Sequence, residues 1–268
     1  MSVDVKHIAA LNKCQLFRED LLCKLKCLDV EFGDERTSIL SLDDFLQRFH
    51  AMKVLKIVGE CYVGESEEKV ENGIEVIIRE ANKCCDLKHI LKQESSNMNN
   101  LVILHVIRCN NLINLVPSSL SFQNLTTLKV SYCKGLMKVL TSSIAKSLVR
   151  LKEMRVSECN MITEIVLAVV DDAVDEIIVF SELKDLELCE LKSMTSFCSG
   201  HCAFKFPSLE RILVNDCPSM KIFSGGELST PKLLKVQLDE FNKELWTWER
   251  DLNTTIQTLY LKTKVRIR

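Results

Sequence analysis

The chain has 268 residues, with 35 Lys and Arg set against 37 Asp and Glu for a formal net charge of −2. That balance excludes the whole-molecule positive field on which nonspecific nucleic-acid binders rely. The opening MSVDVKHIAALNKC has no basic start, apolar block and small-residue cleavage site, so the thirteen cysteines are expected to be reduced thiols in the cytoplasm.

Residues 1–24 carry Ile8, Leu11, Phe17, Leu21 and Leu22 without a clear period and read as an N-terminal cap or a truncated repeat. Residues 25–100 read as degenerate repeats. Leu25, Leu28 and Val30 recur 27 residues on as Met52, Leu55 and Ile57, residues 74–78 form a further strand pattern, and Cys84, Leu87 and Ile90 form the second half of a copy. Between them GESEEKVEN, residues 64–72, is a charged loop, and QESSNMNN, residues 93–100, is a polar one.

From Leu101 the pattern becomes regular. Leu101, Leu104, Val106, Cys109, Leu112 and Leu115 set the offsets 0, +3, +5, +8, +11 and +14. The same offsets return from Leu125, Leu151, Leu183 and Leu209, and all thirty template positions are apolar. With 47% apolar residues, chance would produce this with a probability of roughly 10^-10. The step from 151 to 183 is the longest and contains an acidic insert at 170–176, with Asp171, Asp172, Asp175 and Glu176, expected to be a solvated loop. Five regular repeats thus cover 101–232. Residues 233–268 read as C-terminal repeats and a cap, with weaker copies at Leu233, Val236, Leu238 and Phe241 and at Ile256, Leu259 and Leu261. Trp246 and Trp248 are expected to belong to the cap. The longest apolar membrane candidate, residues 165–170, is far short of the about twenty residues a spanning helix needs.

Offsets +3 and +5 put two side chains on one side of a short strand, so the residue at +4 must point the other way. Offsets +8, +11 and +14, spaced by three, suit a tighter return. One such coil cannot hide its apolar row, whereas stacked coils bury it continuously. The expected fold is therefore an α/β solenoid, curved, with a parallel β-sheet on its concave face and short 3₁₀ or irregular returns on its convex face.

The pattern L-x-x-L-x-V-x-x-C resembles a leucine-rich repeat, with Cys109, Cys133, Cys159 and Cys217 where such repeats place Asn or Cys. The stretches VSYCKGLMKVL, VSECNMITEIV, FSELKDLELCEL, FPSLERILVNDCPSMK and WTWERDLNTTIQ resemble the leucine-rich-repeat region of plant coiled-coil, nucleotide-binding disease-resistance proteins. The resemblance covers roughly residues 20 to 262 and implies a protein-recognition module whose ligand is a pathogen effector, a guarded host protein or another receptor domain. No Gly-Lys pair occurs, so the phosphate-cradling loop of the family's nucleotide switch is not in this sequence. A truncated receptor remnant or regulatory decoy, and more remotely a ubiquitin-ligase substrate adaptor, are the alternatives.

No catalytic constellation emerges: the five histidines lack a recognisable nucleophile motif. No cofactor, small molecule, membrane span or nucleic acid is expected. His201, flanked by Cys198 and Cys202, lacks a matching second pair at zinc-site spacing and reads as an ordinary loop. The candidate partner-binding residues lie on the concave face. At +4 they are His105, Lys129, Arg155 and Glu187, beside the apolar Leu213. At +7, just past each strand, they are Arg108, Tyr132, Glu158, Glu190 and Asp216. These two rows are expected to stand free for a partner.

Overall fold

The computed structural model describes residues 2–4, 27–32, 54–59, 75–79, 101–110, 112–115, 121–168, 177–242 and 244–266, the first four segments as strand backbone only. The acidic insert at 170–176 and most of the expected N-terminal cap and degenerate repeats lie outside the described residues.

In chain order the elements are β1 (Ser2–Asp4), β2 (Cys27–Phe32), β3 (Val54–Gly59), β4 (Glu75–Arg79), β5 (Ile103–Ile107), β6 (Thr127–Ser131), β7 (Leu140–Thr141) and α1 (Ser142–Ser147). There follow β8 (Glu153–Ser157), β9 (Val166–Leu167), β10 (Ile177–Val179), β11 (Asp185–Cys189), β12 (Ala203–Lys205), β13 (Arg211–Asn215), β14 (Leu228–Ser229), β15 (Val236–Gln237), β16 (Trp246–Thr247) and α2 (Leu252–Arg266). One eleven-stranded sheet runs β1-β2-β3-β4-β5-β6-β8-β11-β13-β15-β16. Every pairing in it is parallel except the last, β15 with β16. Sequence order equals spatial order, because each coil climbs by one strand spacing. The architecture is a β-solenoid.

The repeat template is the core. Leu104 faces Leu128, then Met154, Leu186 and Ile212, and Val106 heads a matching row through Val130, Val156, Leu188 and Val214. Each of these ten residues is buried, as is every other template position except Cys217, which is half-buried. In β5 and β6 burial alternates residue by residue. That is the signature of a strand with one face in the core and one toward solvent.

A second recurring position, three residues before each template start, escapes the sequence reading. It holds Phe122, Leu148, Phe180 and Phe206, all buried, and the backbone carbonyls of Phe122, Leu148 and Phe206 accept from the N–H of the following template leucine. Together with Phe197 and Phe223 at +14 it builds an aromatic spine. Phe180 and Phe206 stack at 5.2 Å, Phe197 and Phe223 at 4.8 Å, and Phe206 meets Phe223 edge-on at 6.0 Å. Such pairs add about 0.5–1.5 kcal/mol beyond the area they bury.

The returns are short and mostly irregular, but they carry ladders of their own. β10, β12 and β14 pair in parallel, as do β7 and β9. The α1 turn, capped by the Thr141 hydroxyl accepting from the Ile144 N–H at 3.4 Å, buries Ile144 and Ala145 in the same core.

The C-terminal part departs from the expected repeats. Val236 does lie in a repeat strand, but Phe241 is 94% exposed rather than a core position. Ile256, Leu259 and Leu261 lie on helix α2, not on a further coil. The helix starts there because Asp251 accepts from the Thr254 N–H at 2.8 Å, an N-cap with no Gly or Pro in the fifteen residues that follow. Asn253 ties the helix to the last regular coil, its Oδ1 accepting from the N–H groups of Phe223 and Ser224 at 3.0 Å each. No described helix is long and apolar enough to cross a membrane.

Candidate functional site

With the +3 and +5 rows buried, the outer face of the sheet presents the +2, +4 and +6 positions. The +4 row is continuous in register: His105, Lys129, Arg155, Glu187, Leu213 and Gln237 lie side by side on β5, β6, β8, β11, β13 and β15. His105, Lys129, Arg155 and Glu187 are therefore brought together as the spacing predicts. The +2 row adds Ile103, Thr127, Glu153, Asp185 and Arg211.

The second predicted row sits just past each strand, at the expected offset. Arg108, Tyr132, Glu158, Glu190 and Asp216 form the corner where each strand ends, and all five have left-handed backbone, with φ from 51° to 59°. Four of them continue the ladder across the corner, the N–H of Arg108 donating to the carbonyl of Ser131, Tyr132 to Ser157, Glu158 to Cys189 and Glu190 to Asn215. A left-handed non-glycine residue costs roughly 1–2 kcal/mol, and the interstrand bond offsets part of it.

The cysteine that follows completes the corner. The Sγ of Cys133 lies 3.4 Å from the Ser131 carbonyl and 3.9 Å from that of Val106 in the coil before. Cys217 repeats this with Asn215 at 3.5 Å and Leu188 at 3.4 Å. Each thiol donates weakly to carbonyls the turn leaves over. The thiol neighbours Cys109 and Cys133 push the pKa values of Cys133 and Cys159, respectively, well above the ordinary thiol range, and burial pushes Cys189, Cys198 and Cys217 up to about 12. Protonated thiols are neither nucleophiles nor metal ligands. His201 is exposed while Cys198 and Cys202 are buried.

Among the described residues, the charges of the outer face on β6, β8, β11 and β13 are already paired, contrary to the expectation that they stand free. Lys129 Nζ lies 3.0 Å from Glu153 Oε1. Arg155 Nη1 lies 3.0 Å from Glu187 Oε2 and donates to Glu240 Oε1 at 2.7 Å, while its Nη2 donates to Glu240 Oε2 at 3.1 Å. Glu187 is also held by Arg211, whose Nε donates to Gln237 Oε1 at 3.0 Å. Burial works against the Arg155 charge, but its hydrogen bonds to Glu240 and the charge of Glu187 outweigh it and raise its pKa. At the corners, the Arg108 guanidinium lies 5.4 Å from the centre of the Tyr132 ring. Hydrogen bonding to Glu158, helped by burial, raises the Tyr132 pKa, and Lys192 pairs with Asp216.

With the solenoid and its faces described, comparison with known proteins finds a likeness over part of the chain. Residues 118–225 match the family model of the leucine-rich repeats of plant disease resistance protein RPS2-like. Over that segment the coils are similar to leucine-rich repeats of the plant disease-resistance type. No curated protein and no solved structure matches the chain significantly. The matched segment spans strands β6 through β13, which contain Lys129, Arg155, Glu187 and Arg211. A leucine-rich-repeat solenoid is a recognition scaffold, its strand face rigid and its side chains set in rows about 4.8 Å apart.

The sequence reading missed Arg211 and Glu240. Arg211 was within reach, since the alternation that puts +3 inside puts +2 outside. Glu240 gave no such signal: its role depends on how the chain turns after β15.

Proposed function

We propose that the chain is a cytoplasmic protein-recognition module whose sheet face is concave and binds a pathogen-derived or host protein. The observation that carries the reading is the half-buried strip on β5 and β6, where Ile103, His105, Ile107, Thr127, Lys129 and Ser131 stand in register. Apolar residues interleaved with polar ones on a rigid wall are what a protein interface uses: the first supply anchors, the second register and on-rate. Tyr132 and Arg108 at the adjoining corner extend the strip with an aromatic face and a cation.

The test compares the wild-type chain with a His105→Ala, Lys129→Ala, Tyr132→Ala variant, each immobilised and challenged with extract of plant tissue exposed to a pathogen. Quantitative mass spectrometry is expected to find at least one protein retained by the wild type and lost, by tenfold or more, from a variant that melts at the same temperature. Identical retention by both would place recognition elsewhere.

A further inference from the structure

The outer face of the sheet is not equally open along its length. Leu213 occupies the same +4 position as Lys129 but is 0% exposed, and its register neighbour Glu187 is 8% exposed. Cys189 and Ser157, at +6, are buried as well. The cover comes from the chain after β15. Strands β8 and β15 are three spacings apart, about 14 Å, yet the Glu240 carboxylate meets the guanidinium of Arg155 on β8. The pair must therefore cross the face above β11 and β13. The loop that carries it is closed at its base by the Leu238 N–H donating to the Leu245 carbonyl at 2.8 Å, and then by the antiparallel pairing of β15 with β16. Within the loop, Asp239 Oδ1 accepts from the N–H groups of Phe241 and Asn242 at 2.7 and 2.8 Å.

Two details bear on how firmly the loop is held. Phe241, beside Glu240, is 94% exposed, so the aromatic at its tip does not fasten it. The charges on the face are also incomplete without it. Arg155 and Arg211 share the one buried carboxylate of Glu187, and Asp185 stands off at 3.7 Å from Arg211. The two-pronged donor of Arg155 is then matched by Glu240.

We propose that Arg155, with Arg211 and Glu187 behind it, is a receptor for a carboxylate on an extended acidic segment of a partner protein, and that the loop between β15 and β16 occupies it through Glu240 in the free chain. The loop acts as a resident competitor. A guanidinium fork favours a planar carboxylate over a lone amide or hydroxyl, and a tethered competitor acts at millimolar effective concentration. A partner must therefore exceed that competition to uncover Leu213 and the rest of the wall. The inference rests on reading this face as the recognition surface, and extends it to the half that the loop seals.

The probe is a fluorescein-labelled peptide copying residues 236–245, VQLDEFNKEL, titrated by anisotropy against the full chain. Glu240→Ala is expected to bind it at least about tenfold more tightly than the wild type, because the resident carboxylate is gone. A peptide with Gln at the position that copies Glu240 should lose that gain, and so should an added Arg155→Gln in the chain. Glu240→Gln, which keeps the side-chain shape, should show the same ordering should truncation disturb the fold, and hydrogen exchange of residues 209–216 should quicken in both variants. Equal binding by wild type and variants, no binding by the variants, or equal binding of the acidic and Gln peptides would overturn the proposal. Loss of partner retention in the His105, Lys129, Tyr132 variant alongside a negative peptide titration would sink the loop's role and leave the recognition face standing.

Discussion

Truncating Leu213 to alanine probes the sealed half of the wall directly. By template position this residue is outward and its loss should cost little, like that of any exposed strand residue, within about 0.5 kcal/mol. The structure has it 0% exposed, between Glu187 and Gln237 in register and beneath the returning loop. A fully buried leucine cut to alanine costs about 2–5 kcal/mol. For a chain of this size that lowers the melting temperature by roughly 4–20 °C. The control is Lys129→Ala at the same template offset, which gives up one half-exposed ion pair with Glu153, worth about 0–1 kcal/mol. Thermal and urea melts of the two variants against wild type, followed by circular dichroism, make the comparison. Should they melt alike, nothing covers the face at Leu213 and the reasoning about the loop fails.

Further outcomes follow from the same contacts. Arg155→Glu sets a third carboxylate beside Glu187 and Glu240; since the Arg155 side chain is partly exposed, it should lower the unfolding free energy in urea by about 2–3 kcal/mol, less than the loss of a fully buried partner. Asn253→Ala strips the Phe223 and Ser224 N–H groups of their acceptor in a buried setting and should cost about 1–3 kcal/mol, read as a shift in urea midpoint. Raising pH should weaken the fold. Cys189, Cys198 and Cys217 have folded pKa values raised to about 12, so their contribution is whole below the unfolded thiol value of about 8.5 and is lost as pH climbs from there toward 12, by at most about 1.4 kcal/mol per thiol per unit. Urea midpoints at pH 8, 9 and 10 check this, and a midpoint that holds or rises would count against it.

The solenoid could be read from the sequence because its cause is local and repeated. Each coil needs the same few apolar side chains at the same offsets, and five copies make the signal redundant. The corner cysteines were legible for that reason too. The corner residues themselves were not, since Arg108, Tyr132, Glu158, Glu190 and Asp216 include none of the glycines that usually announce left-handed backbone. Helix α2 was mistaken for a coil because Ile256 and Leu259 fit a three-residue spacing shared by helices and returns. The pairing of Arg155 with Glu240 spans 85 positions in the chain. It depends on the path of one loop, and no periodicity encodes it. Sequence reasoning thus found the wall and several of its residues but not which of them the chain itself covers.

The central claim is that successive coils stack through recurring apolar side chains, with the cysteine of each coil inside. Alkylation of the native chain by iodoacetamide at pH 8, read peptide by peptide in a mass spectrometer, tests it most directly. Cys109, Cys133 and Cys159 are all fully buried and should stay unlabelled until guanidinium unfolds the chain, then react completely. Labelling of these three in the native protein at the rate of a free thiol would contradict the stacked coil.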